Sequence, residues 1–351
     1  MLSRVAESMF WMSRYIERAE NTARFLDVNF HLLLDLNKVT PRDQLNYWEA
    51  LIRVTSDEKT YSQMYNQYNA DNVTDFLVFN RSNSNSIYSC IALARENARS
   101  VIESISSEMW EQINGLYHHL QQASPQGTKT DPYNFYKHIK NGSHLFQGIT
   151  DGTLSRSEGW YFMQAGKYLE RADNTARLVD VKYLMLSPGE AGRYESADVI
   201  QWMAVLKSCS ALEAFRKVHL SKLEPNTILL FLLLDRAFPR SVYFSVSSTE
   251  EALWRISGSS RRNYTNNADR LIGKLEAELS YTTFEDISDR GLHEYLANLE
   301  RRITKVGEQI HQIYFAYNEP IADEYEALEA ALPFTGINGG RAIWSQAQQQ
   351  Q

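Results

Sequence analysis

The sequence predicts an all-α protein, a helical bundle of two internally duplicated halves related by a pseudo-twofold axis. Three observations lead there. The stretch Tyr15 to Val28, YIERAENTARFLDV, returns 153 residues later at Tyr168 to Val181 as YLERADNTARLVDV, identical at ten of fourteen positions. That is an internal duplication, with a period too long for a solenoid unit. Apolar residues step by three and four through most of the chain, and few segments alternate as strands do. Neither copy of the doubled stretch contains Gly or Pro between its Tyr and its Val.

The first helix carries an apolar stripe of Met9, Met12, Ile16, Ala19, Ala23, Leu26, Phe30 and Leu33, with Ser3 as its expected N-cap and a stop expected near Thr40-Pro41. The second copy repeats the stripe as Phe162, Ala165, Leu169, Ala172, Ala176, Val179, Tyr183 and Leu186. At about 100° per residue, Glu17, Asn21 and Arg24 share one narrow sector roughly 140° from the stripe, as do Glu170, Asn174 and Arg177. A solvated helix face needs only to be polar, so two copies drifting apart would scramble these residues. They have not been scrambled.

A second helix is predicted around Asn46 to Val54, with a counterpart at Ile200 to Lys207 in which Trp202 matches Trp48. FLVFNRSNSNSIYSCI, Phe76 to Ile91, aligns without gaps on FLLLDRAFPRSVYFSV, Phe231 to Val246. Both read as an apolar helix end, a polar break and a new helix, with Pro239 tolerated in a first turn. Leu93 to Gln122 reads as one long helix, Ser124 to Asp131 as a loop, and Tyr133 to Gly148 as helix again. Ser155 and Glu158 form a capping-box pattern before the second signature helix. Further helices are expected over Thr249 to Arg255, Asn266 to Leu279 and Leu292 to Phe315. The expected organisation is one domain over 1–318, with repeats at about 1–152 and 153–318, and a loosely ordered Gln-rich tail over 319–351.

Composition narrows the function. The net charge of -7, from 36 basic and 43 acidic residues, lacks the basic footprint of nucleic-acid binding, and Arg261-Arg262 and Arg301-Arg302 read as solvated pairs. Cys90 and Cys209 are too few and too far apart for a disulfide framework or a zinc knuckle. No secretory leader pattern opens the sequence, and the longest apolar run, Ile228 to Leu234, falls far short of the ~20 residues needed to span a bilayer. The expectation is a soluble cytoplasmic protein with no membrane contact.

Among chemical motifs, one Glu-x-x-His, Glu308 and His311, has no duplicate, so neither a di-iron site nor another metal centre is expected. Phosphate-cradling glycine loops and a nucleophile elbow are missing, and no cofactor is expected. What remains is the Glu-Arg-Asn-Arg face. One reading makes it structural: Glu20 with Arg24 and Asp173 with Arg177 pair at i,i+4, while Glu17 and Glu170 reach across the halves to Arg24 or Arg177 as buried ion pairs. The other reading makes it a cleft in which Arg18, Arg24, Arg171 and Arg177, joined by Asn21, Asn174, Asp235, Arg236, Arg240 and Ser241, hold an anionic or peptide-like ligand. Acid/base catalysis by Glu17 or Glu170 requires a raised pKa, and nearby arginines push the other way.

The doubled Tyr-Ile/Leu-Glu-Arg-Ala-Glu/Asp-Asn-Thr-Ala-Arg resembles the alpha-E family of bacterial all-helical domains of unknown function. The opening Leu-Ser-Arg-Val-Ala-Glu, the Ser-x-Glu-Met-Trp-Glu within Glu96 to Asn114, Glu158-Gly159-Trp160 and Phe238-Pro239-Arg240-Ser241-Val242 are similar to its pattern, in the same order, over about Met1 to Asn318. The resemblance implies association with a circularly permuted ATP-grasp ligase, and with a transglutaminase-like protease, in making or trimming a small peptide or amide-linked product. The expected role is a scaffold or accessory binding partner without catalytic activity of its own. The alternative is an enzyme using Glu17 or Glu170.

Overall fold

Helix formation along this chain follows the apolar stripes. The computed structural model describes residues 1–35, 41–185, 196–219, 223–260 and 263–316. Its helices are α1 (Ser3–Asp35), α2 (Pro41–Thr55), α3 (Glu58–Met64), α4 (Ala70–Thr74), α5 (Ile87–Ser100), α6 (Ser107–Gln122), α7 (Pro125–Thr130) and α8 (Pro132–Thr153). Then come α9 (Glu158–Met185), α10 (Ser196–Ser208), α11 (Leu212–Val218), α12 (Pro225–Leu234), α13 (Val242–Ser257), α14 (Asn267–Tyr281), α15 (Phe284–Arg290) and α16 (Leu292–Ile310). A π-turn precedes the first polar break at Asp75–Phe79, and another closes α16 at His311–Phe315. Among the described residues there is no strand, only an isolated bridge between Ser260 and Asn263. No helix among the described residues is long and apolar enough to cross a membrane.

The two signature helices, α1 and α9, pack against each other at the centre. Around them the neighbours come in the same order: α1 meets α5, α8 and α10, while α9 meets α13, α16 and α2. The outer layers follow suit, α5 on α6 on α8 and α13 on α14 on α16. From Met9 to Leu26 the first stripe is buried, as is Phe162 to Val179 of the second; Leu186 and the tail over 319–351 lie outside the described residues. Each large apolar side chain so buried contributes about 1.5–3 kcal/mol. Small residues let the central helices approach: Gly166 lies against the backbone carbonyl of Phe10, where any Cβ would clash.

Some local expectations are corrected. Leu93 to Gln122 is not one helix; the chain breaks at Val101 to Ser106, where Ser106 accepts from the Met109 amide and caps α6, so that α6 folds back on α5. Ser124 to Asp131 is not a bare loop, because Ser124 caps the short α7 through the Gly127 amide. Ser3 and Glu158 are the first residues of their helices rather than cap and N3 positions. Pro239 sits in the turn before the cap, and Ser241 is the N-cap of α13. Cys90 and Cys209 are buried and free. Arg261 and Arg262 lie outside the described residues.

Candidate functional site

The sector of α1 and α9 opposite the apolar stripe is largely covered as well: Glu17, Asn21 and Glu170 are buried, and Arg24, Asn174 and Arg177 are partly so. Glu17 is fully buried and Glu170 nearly so. Each is held by the arginine that follows the glutamate of the other helix. Arg18 forks onto Glu170, Nε to Oε1 at 2.6 Å and Nη2 to Oε2 at 3.0 Å, and Arg14 adds a third donor at 2.8 Å. Reciprocally, Arg171 Nε donates to Glu17 Oε1 at 2.8 Å. Gln147 of α8 ties that pair together, donating to Glu17 at 2.9 Å and accepting from Arg171 at 2.9 Å. Adjacent residues on a helix point about 100° apart, so an arginine following a glutamate turns away from it and toward the neighbouring helix.

The expected crossed partners, Arg24 and Arg177, are therefore not the ones found. Arg24 pairs with Glu20 of its own helix. Arg177 pairs with its own Asp173 at 2.9 Å, and also donates to Ser56 Oγ at 2.6 Å and Glu300 at 3.2 Å. Asn174 donates to the Glu170 backbone carbonyl at 3.0 Å. Asn21 accepts from Arg240, which reaches the centre from the second polar break. That guanidinium donates to Glu17 Oε1, Asn21 Oδ1 and Glu20 Oε2 at 2.8, 2.9 and 2.6 Å.

The other residues of the second break build the turn rather than a pocket. Asp235 accepts from the amides of Ala237 and Phe238, and Ser241 donates to the Asp235 carbonyl and accepts from the Phe244 amide. Arg236 is exposed, lies over the Tyr243 ring at 5.1 Å and donates to the Ser280 carbonyl. Glu308 pairs with Lys305, while His311 lies 3.8 Å from Glu7.

The network fixes its protonation states. Burial alone would raise the Glu17 carboxyl, but Arg171 and Arg240 more than offset it and hold it below its usual value. Glu20 is held well below by Arg240 and Arg24 against the same burial. For Glu170, burial is outweighed by Arg18 and Arg14, which bring it down to about 2. Carboxylates so stabilised are poor bases and are never acids near neutral pH. Glu300 differs: burial dominates, Asp173 and Asp180 reinforce it, and its carboxyl is pushed up to about 7 despite Arg177.

Beside Glu170 lies a cavity of about 130 Å3, bordered by Arg18, Asn85, Asp173, Asn174 and Arg177. Ser56 also lines it, in the left-handed region at φ 59°. That residue closes α2 by a Schellman pattern, with Ser56 N bonded to Arg53 O and Asp57 N to Ile52 O. Ser210, φ 52°, closes α10 identically through Lys207 and Leu206. Glycine is the usual residue there, so serine costs roughly 1 kcal/mol at each turn.

Arg14, Gln147, Asn85 and Ser56 join this site although none belongs to the doubled Glu-Arg-Asn-Arg face. Asn85 alone carried a signal, since it opposes Arg240 in the gapless alignment of the two breaks.

Fold and site together define an all-helical domain organised on two Glu-Arg pairs that grip each other across its central helices. The chain belongs to the Alpha-E family, a predicted alpha-helical domain with a conserved ER motif, whose model matches residues 1–315. It is 21% identical, over 359 aligned residues and 97% of its length, to an uncharacterized protein of Mycobacterium bovis and to uncharacterized proteins of two Mycobacterium tuberculosis strains. The chain spans 38% of the length of these relatives. No solved structure matches it.

Proposed function

We propose that this chain is a non-catalytic accessory or scaffold module of an ATP-grasp amide-bond-forming system that makes or modifies a small peptide. The observation supporting the non-catalytic part is the pairing of the buried Glu17 and Glu170 with five arginine and glutamine side chains from other elements. A catalytic carboxyl needs reach to its substrate and a pKa near neutral; both residues are buried, and their arginines hold both below the usual carboxylate range. This geometry disfavours the alternative, an enzyme using Glu17 or Glu170 as acid/base on an anionic or peptide-like substrate. It also disfavours an anion clasped by the four arginines, since Arg18, Arg24, Arg171 and Arg177 already hold carboxylates.

The partner class is what the family resemblance implies: a circularly permuted ATP-grasp ligase, with a transglutaminase-like protease as a further associate in the cytoplasm. The matching sets of neighbours around α1 and α9 suit a scaffold, because they fix the outer helices on one shared polar core. The test is co-purification of the chain with such a ligase from the same genome, followed by ATP turnover with and without the chain. A stable complex and altered turnover are expected. No complex together with unchanged turnover removes the proposal.

A further inference from the structure

The two polar breaks end alike but begin differently. Ser86 and Ser241 occupy matching positions and each caps the next helix, accepting from Ser89 N at 3.1 Å and Phe244 N at 3.0 Å. One residue earlier, the second copy has Arg240 and the first has Asn85. Arg240 sends its guanidinium onto Glu17, Glu20 and Asn21. The residues matching those three acceptors in the doubled stretch are Glu170, Asp173 and Asn174, and all three border the cavity beside Asn85. The amide of Asn85 is too short to fill that space; it accepts from Arg18 at 2.6 Å and donates to Asp57 at 2.9 Å. A single water needs roughly 10–15 Å3 of such volume, so the cavity of about 130 Å3 has room for a small organic group.

The charge balance differs in the same sense. On the Glu17 side three guanidiniums, Arg24, Arg171 and Arg240, meet two carboxylates, Glu17 and Glu20. On the cavity side Arg18 and Arg177 line the space with Glu170 and Asp173; behind that lining Arg14 also holds Glu170, Arg177 also meets Glu300, and the buried carboxyl of Asp57 accepts from the Asn85 amide rather than from a guanidinium. The guanidiniums present are committed, Arg18 to Glu170 and Asn85, Arg177 to Asp173, Ser56 and Glu300. An acceptor is left over: Asp173 Oδ1 is buried and has no hydrogen-bond partner among the described residues. A planar cation with several donors meets that demand, and an anion does not.

We propose that this cavity binds a guanidinium group supplied by a ligand, in the place that Arg240 fills from within the chain in the other copy. The proposal is independent of which enzyme the chain assists. Isothermal titration calorimetry of the full chain tests it with agmatine as the probe. Saturable one-to-one binding is expected, at least tenfold tighter than that of putrescine, a diamine of equal charge without the guanidine, and with no binding of phosphate or acetate. A short capped peptide containing one arginine distinguishes the sources: binding as tight as agmatine's assigns the site to an arginine side chain, and tenfold weaker binding assigns it to a free small molecule. Asp173→Asn, which preserves shape, should weaken agmatine at least tenfold. Asn85→Arg should abolish agmatine binding without lowering the melting temperature, because the added side chain reproduces Arg240. Failure of agmatine to bind, equal affinity for putrescine, unchanged affinity in Asp173→Asn, or preferential binding of phosphate overturns the proposal. If Asn85→Arg does not fold, the Asp173→Asn comparison still decides it.

Discussion

Replacing Glu17 by Gln is the sharpest test of the central network, because the shape is kept and only the charge goes. Glu17 Oε1 accepts from both Arg171 and Arg240, and Oε2 from Gln147. The new amide can still offer one oxygen to the arginines, but its nitrogen then faces the Gln147 amide nitrogen. Gln147 cannot simply flip, since its own oxygen is held by Arg171. Breaking one partner out of a buried ion pair costs about 3–5 kcal/mol; Arg240 keeps Glu20 and Asn21, so the low end applies, about 3 kcal/mol. Unfolding entropy near 2.1 cal/mol/K per residue over Met1–Phe315 converts this to a melting-temperature drop of about 4–5 °C. Urea unfolding and thermal melts followed by circular dichroism read it directly. Glu49→Gln is the control: Glu49 pairs with Arg53 at the surface, the arginine half exposed, and such pairs contribute less than about 1 kcal/mol. A double-mutant cycle of Glu17→Gln with Arg171→Met should show a coupling of about 1–3 kcal/mol. If Glu17→Gln costs no more than Glu49→Gln, the reciprocal network does not hold the domain together.

Three further outcomes follow from the same geometry. Glu170 has its folded pKa depressed from 4.5 to about 2, so the stability it contributes is fully present above pH 4.5 and is lost as pH falls toward 2; Glu170→Gln should flatten that part of an acid titration of stability, and an unchanged acid limb would count against the Arg14 and Arg18 contacts. Gly166→Ala places a methyl against the Phe10 carbonyl and must push α1 from α9, costing about 3 kcal/mol or more in urea unfolding; a neutral result would mean the central helices have slack. Ser210→Gly should stabilise by about 1 kcal/mol by relieving a left-handed serine, whereas Ser56→Gly should gain less, since Arg177 loses its hydroxyl partner; equal gains would show that the Ser56 bond contributes nothing.

Helix type was legible where stripes were long. Met9 through Leu26, Leu292 through Ile310 and the doubled stretch announced α1, α16 and α9 by period alone. Helices α3, α4, α7, α11 and α15 run only five to seven residues, too few turns for a period to show. The break between α5 and α6 was hidden because Val101 and Ile105 keep the apolar spacing across it.

Residue pattern alone makes the chain helical, marks two of its helices as near-copies of one another, and shows that each carries a charged sector kept in both copies. It also held, as a single mismatch between Asn85 and Arg240, the asymmetry of the two sides. The pairing of the charges comes from the packing of the helices. Glu17 takes Arg171 and Glu170 takes Arg18, because a residue and its successor point about 100° apart on a helix, so each Glu-Arg pair is split by its own backbone and satisfied by its sister's. Arg240 joins from 223 positions away, a distance along the chain that no local spacing encodes. Burial then turns these contacts from weak surface pairs into the fixed charges at the centre of the domain.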